Sequence, residues 1–105
     1  MQFRRRKWGF YITLLDRLKF KVKLLRFKRG GECSYQWHKS RNELWLCLSG
    51  MGRFVKNGKI SLLTKGDWQV VQINDRHRYK AEKATWILEL QYGDYCIESD
   101  IVRTK

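Results

Sequence analysis

The sequence predicts an all-β fold, a sandwich or barrel of short strands. Short apolar–polar alternations recur along the chain, and turn residues separate them at about the 8–12-residue spacing of such folds. Asn57-Gly58 sits between "RFVK" and "KISLL", and both residues tolerate the positive φ of a two-residue hairpin turn.

Taken in order, residues 1–7 read as a basic N-terminal segment, with "RRRK" at 4–7. Residues 11–27 are ambiguous. Leu14, Leu15, Leu18, Val22 and Leu25 fit helical spacing, and a basic amphipathic helix would point to a membrane surface or a partner groove. From Lys19 onward the alternation is strict, so a strand is preferred there. Phe20, Val22 and Leu24 take one face, and Lys19, Lys21 and Lys23 the other. Lysines exposed on a strand discourage edge-to-edge pairing. Further strands are expected in "CSYQWH" (33–38), "ELWLCL" (43–48), the hairpin region 52–73, "HRYKAE" (77–82) and "TWILELQYGDY" (85–95). Gly50, Gly52, Gly66 and Gly93 mark turns. Without a Gly/Ser linker, a repeat or a proline, residues 1–105 read as a single domain.

Composition narrows the function classes. A 43% hydrophobic and 14% aromatic content argues against disorder. Cys33, Cys47 and Cys96 are odd in number and form no C-x-x-C pair, so a disulfide framework or thiolate zinc site is not expected; a reducing cytoplasm fits best. No apolar run is long enough for a signal peptide or a membrane span. The net charge of +13 favours anionic partners, whether nucleic acid, phosphorylated small molecules or an acidic surface.

One constellation carries chemistry. Residues two apart on a strand share a face, so Ser34, Gln36 and His38 point together. Glu43, Trp45 and Cys47 do the same on the next strand. The turn "KSRN" returns Glu43 beside Gln36 and His38, and His77 can converge on them from "QINDRHRYK". Imidazole, carboxylate and amide oxygen together suit one divalent ion such as zinc, manganese, iron or nickel. On spacing alone, a hydrogen-bonded core histidine competes with this reading.

The spacing also resembles the cupin superfamily. Its first motif, G-x5-H-x-H-x4-E-x6-G, is met by Gly30, Gln36, His38, Glu43 and Gly50, with Gln36 replacing the first histidine. The second is met in spacing by Gly66, Gln72, Asn74, His77 and Ala81, with its Pro, Gly and Asn replaced. Across nearly the whole chain the sequence resembles the cupin domain of type II mannose-6-phosphate isomerases. That domain usually forms the C-terminal part of an enzyme that also carries mannose-1-phosphate guanylyltransferase. The matching residues are Trp8, Gly9 and Tyr11, then Lys21-Val22-Lys23, then Ser34, Gln36, His38, Arg41, Glu43 and Trp45. Gln91, Gly93 and Tyr95 follow, and an ending with Glu98, Asp100, Ile101, Val102 and Arg103.

The resemblance implies a single-domain jelly-roll barrel. It also implies a metal-dependent aldose–ketose isomerase that interconverts mannose 6-phosphate and fructose 6-phosphate for polysaccharide and nucleotide-sugar supply; in a departure from the family pattern, no nucleotidyltransferase domain is expected in this chain. Gln36, His38, Glu43 and His77 would hold one divalent metal, zinc foremost. Ser34, Arg41 and Arg103 would bind the phosphosugar, Arg41 gripping its phosphate. Arg41 is otherwise an exposed turn residue, and Arg103 otherwise a salt-bridge partner of Asp100 or Glu98. Glu89, on one face with Ile87 and Gln91, is the candidate base, although no spacing rule singles it out. A homodimer is implied too, with the aromatic strand near Trp8 as a contact surface. The alternative is a non-catalytic or divergent cupin that binds a small anionic ligand, a sugar phosphate or nucleic acid, the last through "RRRKWGFY". A different cupin enzyme, an epimerase or an oxygenase, also stays open.

Overall fold

The computed structural model describes residues 1–104, and every regular element in it is a strand. They are β1 (Gln2–Arg6), β2 (Gly9–Asp16), β3 (Phe20–Phe27), β4 (Tyr35–Trp37), β5 (Arg41–Ser49), β6 (Met51–Lys56), β7 (Lys59–Thr64), β8 (Trp68–Val71), β9 (His77–Ala81), β10 (Thr85–Gly93) and β11 (Val102–Thr104). They form two antiparallel sheets, in the orders β1-β2-β3-β10-β5-β8 and β11-β4-β9-β6-β7. Among the described residues no helix is long and apolar enough to cross a membrane.

The ambiguous segment is strand on both sides of Lys19. β2 is paired by β1 on one flank and β3 on the other. Backbone hydrogen bonds to two neighbours outweigh a weak local helical pattern. Within the basic N-terminal segment, Gln2–Arg6 makes the exposed edge strand of this sheet. Asn57 and Gly58 take φ values of 50° and 80° and close the β6–β7 hairpin as expected. Gly52 makes no turn. It lies inside β6, where a Cβ would stand 2.3 Å from Tyr79 Oη and 2.4 Å from the Lys80 carbonyl oxygen. Trp8 lies in the β1–β2 turn, next to the edge strand β1, and it stacks on the core ring of Phe27 at 4.2 Å.

The lysines of β3 are on the opposite face from the one expected. Lys21 and Lys23 are each 4% exposed, whereas Phe20 is 40% exposed. The cause is parity. Leu25 and Phe27 share the lysines' face and belong to the core, so they draw that whole face inward.

The inner faces of the two sheets meet in an aromatic core. Phe27 of β3 packs edge-on against Tyr79 of β9, and Trp45 of β5 against Phe54 of β6. Along each strand the inner face then changes from apolar to polar at a common level. In the register of the larger sheet, Leu25, Ile87 and Cys47 lie in one row, Lys23, Glu89 and Trp45 in the next, and Lys21, Gln91 and Glu43 in the third. β9 follows suit, passing from Tyr79 to His77. Register thus gathers the polar residues of four strands at one end of the barrel.

The outer face of the larger sheet is apolar as well. Leu24, Leu88 and Leu46 form one row there, and Val22, Leu90 and Leu44 another. Trp68 and Val70 of β8 continue both rows.

Candidate metal centre

His77 opens β9 and pairs across the register with Gln36 of β4. His38 follows β4, and its carbonyl accepts the Asn74 N–H at 2.9 Å. Glu43 lies on β5 opposite Gln91 of β10. His38, Glu43 and His77 are buried, and each offers a ligand atom, all within 4.8 Å of one another.

A backbone carbonyl orients each imidazole. His38 Nδ1 lies 2.5 Å from the Asp100 oxygen, and His77 Nδ1 lies 3.2 Å from the Asp75 oxygen. A carbonyl only accepts, so each Nδ1 carries a proton and each Nε2 points at Glu43. His38 Nε2 is 3.0 Å from Glu43 Oε2, and His77 Nε2 is 3.4 Å from Glu43 Oε1. The Trp45 indole N–H donates to Glu43 Oε1 at 2.9 Å and fixes the carboxylate.

Arg41 closes the other side. Its Nε–H donates to Glu43 Oε2 at 3.0 Å, Nη1 donates to the Ile97 carbonyl at 2.9 Å, and Nη2 faces His38 Nε2 at 3.3 Å. His38 Nε2 thus lies between a guanidinium, which only donates, and the Glu43 carboxylate, which only accepts. Arg41 supplies positive charge beside Glu43 Oε2. His77 Nε2 has no such neighbour. It is buried without a hydrogen-bond partner and makes only the longer ion-pair contact with Glu43. The space between this imidazole nitrogen and the buried carboxylate is where a proton or a metal cation would be held. Two imidazoles and one carboxylate are a donor set that fits zinc or another borderline divalent ion.

The same charges set the proton affinities. Burial alone would raise the Glu43 pKa, but the two imidazoles that face it, His38 and His77, hold it well below the usual carboxylate range. Burial alone would lower the His77 pKa, but Glu43 outweighs it and the net shift is upward. Burial and then Glu43 raise the Glu89 pKa, against the opposing pull of Lys23 and Arg41.

A cavity of about 970 Å³ adjoins this cluster, and Gln36, Arg41 and Trp45 belong to its wall. Gln36 is half-buried, and its Oε1 accepts the Ser34 hydroxyl at 3.2 Å. Ser34 is exposed at the rim. Arg103, also exposed, pairs with Gln36 through the β11–β4 register and lines the cavity. Asp100 accepts the backbone N–H groups of Lys39 and Ser40 at 2.9 and 2.8 Å, and Glu98 meets Lys21 and Lys23. Glu89 is buried on the cavity wall, where its Oε1 accepts the Gln91 amide at 2.7 Å.

Reading the sequence missed two parts of this site. Lys23 lines the cavity, and its parity with Leu25 and Phe27 was the available signal. The Asp100 carbonyl orients His38 from 62 positions away, and nothing local in the sequence announces that.

Comparison with known proteins follows the same lines. The family described as "Mannose-6-phosphate isomerase C-terminal" matches residues 2–105. A mannose-1-phosphate guanylyltransferase of Klebsiella pneumoniae is 34% identical over 102 residues, covering 95% of this chain and 22% of that protein. The alginate biosynthesis protein AlgA of Pseudomonas aeruginosa is 33% identical over 100 residues, covering 93% and 21%. The chain thus spans about a fifth of the length of these relatives. Among solved structures, the Cnp3 cupin domain of Schizosaccharomyces pombe superposes with a TM-score of 0.74 at 15% identity, over 81% of this chain and 64% of that one. Oxalate decarboxylase of Bacillus subtilis reaches 0.85 at 19% identity, over 97% and 29%. The fold is the cupin barrel.

These relatives correct one expectation. An aldose–ketose isomerase standing apart from nucleotidyl transfer was expected. The relatives are named for guanylyl transfer and for alginate biosynthesis, not for isomerisation alone.

Proposed function

The chain belongs to the mannose-6-phosphate isomerase C-terminal family, and on that premise we propose that it holds a phosphorylated sugar beside a divalent metal ion in polysaccharide precursor supply. The observation that carries the proposal is the pair of carbonyl-oriented imidazoles converging on Glu43, whose hydrogen-bond donors Arg41 and Trp45 stand in the wall of a cavity large enough for a hexose phosphate. His38, Glu43 and His77 would hold the ion. Gln36, opposite His77 in the register, completes the proposed set. Zinc is the first candidate, because imidazole and carboxylate are among its usual ligands. A bound divalent ion supplies Lewis acidity toward a sugar oxygen.

The other residues act around that centre. Trp45 and Arg41 fix the Glu43 carboxylate in place. Ser34 and Arg103 stand at the rim, in reach of a ligand's polar groups. Glu89, with its raised pKa, can keep or release a proton at the cavity wall.

The experiment is calorimetric titration with mannose 6-phosphate before and after EDTA treatment and zinc reloading, alongside His77→Ala. Binding should need the metal, and the variant should lose both metal and ligand. Equal affinity in the stripped and reloaded proteins would remove the metal from the proposal.

A further inference from the structure

We propose that Lys23, backed by Lys21, forms the subsite that grips the ligand's phosphomonoester, and that Glu98 is an internal carboxylate occupying that place. This inference deepens the phosphosugar reading above and rests on it. It concerns residues that the expected substrate set of Ser34, Arg41 and Arg103 does not include.

The argument begins with burial. Both lysine side chains are 6% exposed, and a buried ammonium without a partner is costly. The partners they have are shared and peripheral. Asp16 lies 3.4 Å from Lys21 and is itself 62% exposed. Glu98 Oε1 is contacted by Lys23 and lies 3.6 Å from Lys21, and Glu98 is 53% exposed. Lys23 also lies over the Tyr11 ring, 4.3 Å from its centroid. Glu89 faces Lys23 across the register, but its Oε1 is engaged by Gln91. Two buried cations therefore converge on one oxygen of a half-exposed carboxylate.

Glu98 can yield that place without unfolding its segment. It hangs from the connection between β10 and β11, which is fastened on either side of it. Arg41 holds the Ile97 carbonyl, and Asp100 holds the N–H groups of Lys39 and Ser40. The cavity wall as a whole is cationic, with six Lys or Arg, Lys23 among them, against three Glu, Glu98 among them. A phosphate monoester carries up to two charges and three strong acceptor oxygens. It can meet both ammonium groups, whereas Glu98 offers them a single shared oxygen.

The test is titration of the metal-loaded 105-residue chain with inorganic phosphate, mannose 6-phosphate and mannose. Lys23→Met keeps the aliphatic stem and should weaken both phosphate compounds by about tenfold to a hundredfold, the scale of a lost charged hydrogen bond. Lys23→Arg should restore most of the binding. Glu98→Gln removes the competing charge but keeps an amide oxygen for the two ammonium groups to donate to, and it should tighten both phosphate compounds severalfold. Thermal midpoint and metal content report whether each variant is folded. Unchanged affinity in folded Lys23→Met, or weaker affinity in Glu98→Gln, overturns the subsite. If the wild type binds mannose 6-phosphate while Lys23→Met matches it, only this inference falls. If inorganic phosphate binds through Lys23 while mannose 6-phosphate does not bind, the subsite stands and the phosphosugar reading falls. If neither binds, both fall.

Discussion

His77 sets the pH dependence of the centre. Its pKa in the metal-free fold is raised above the ordinary 6.5, because Glu43 outweighs burial. The sign follows. A raised pKa stabilises the metal-free fold below the unfolded value, and that contribution is lost as pH rises through the folded one. A metal must displace the same proton, so its apparent affinity grows with pH. Zinc titration across the range should show affinity falling on acidification from a point already above 6.5. Affinity that is flat down to pH values well below 6.5 would take His77 out of the ligand set. Arg41 shows where reading single residues stops. Its position between two ligands was legible, yet only the fold shows its donors directed at Glu43, His38 and the Ile97 carbonyl.

At the scale of the element, parity decides. Gln36 and His38 share a face with Ser34, and Glu43 with Trp45, for the simple reason that side chains alternate along a strand. That part of the site could be read from spacing. β3 could not be read from six residues, because "KFKVKL" alternates equally well with either face inward. Only Leu25 and Phe27, committed to the aromatic core, decide it. The glycines divide in the same way. Gly66 has φ 89° and open space around it, so Gly66→Ala should cost only the left-handed strain of about 1–2 kcal/mol. Gly52 sits against the Tyr79 ring and the Lys80 backbone, so Gly52→Ala should cost about 3 kcal/mol or more. Thermal denaturation of the two variants compares them directly. Similar midpoints would mean that β6 and β9 pack more loosely than these contacts require.

At the scale of the molecule, the apolar outer face of the larger sheet is the surface on which to place a homodimer. A chain of net charge +13 repels its copy almost everywhere. The rows through Leu24, Leu88 and Leu46 and through Val22, Leu90 and Leu44 carry no charge, so two copies can meet there without opposing like charges. Light scattering should give a dimer mass at moderate concentration, and Leu88→Lys should give a monomer. A monomeric wild type at high concentration would defeat the expectation.

The sequence by itself determined the strand character of the chain, the β6–β7 turn and the spacing of His38, Glu43 and His77. Each of these depends on alternation or on the φ preference of one or two residues, which are local properties. The tertiary structure alone decided which face of β3 is buried, which carbonyls orient the imidazoles, and that Arg41 and Trp45 clamp Glu43 while Lys21 and Lys23 converge on Glu98. Those outcomes depend on register between strands far apart in the chain, such as β3 with β10 and β4 with β9. Register is set by how the whole aromatic core packs, and no single segment carries that information.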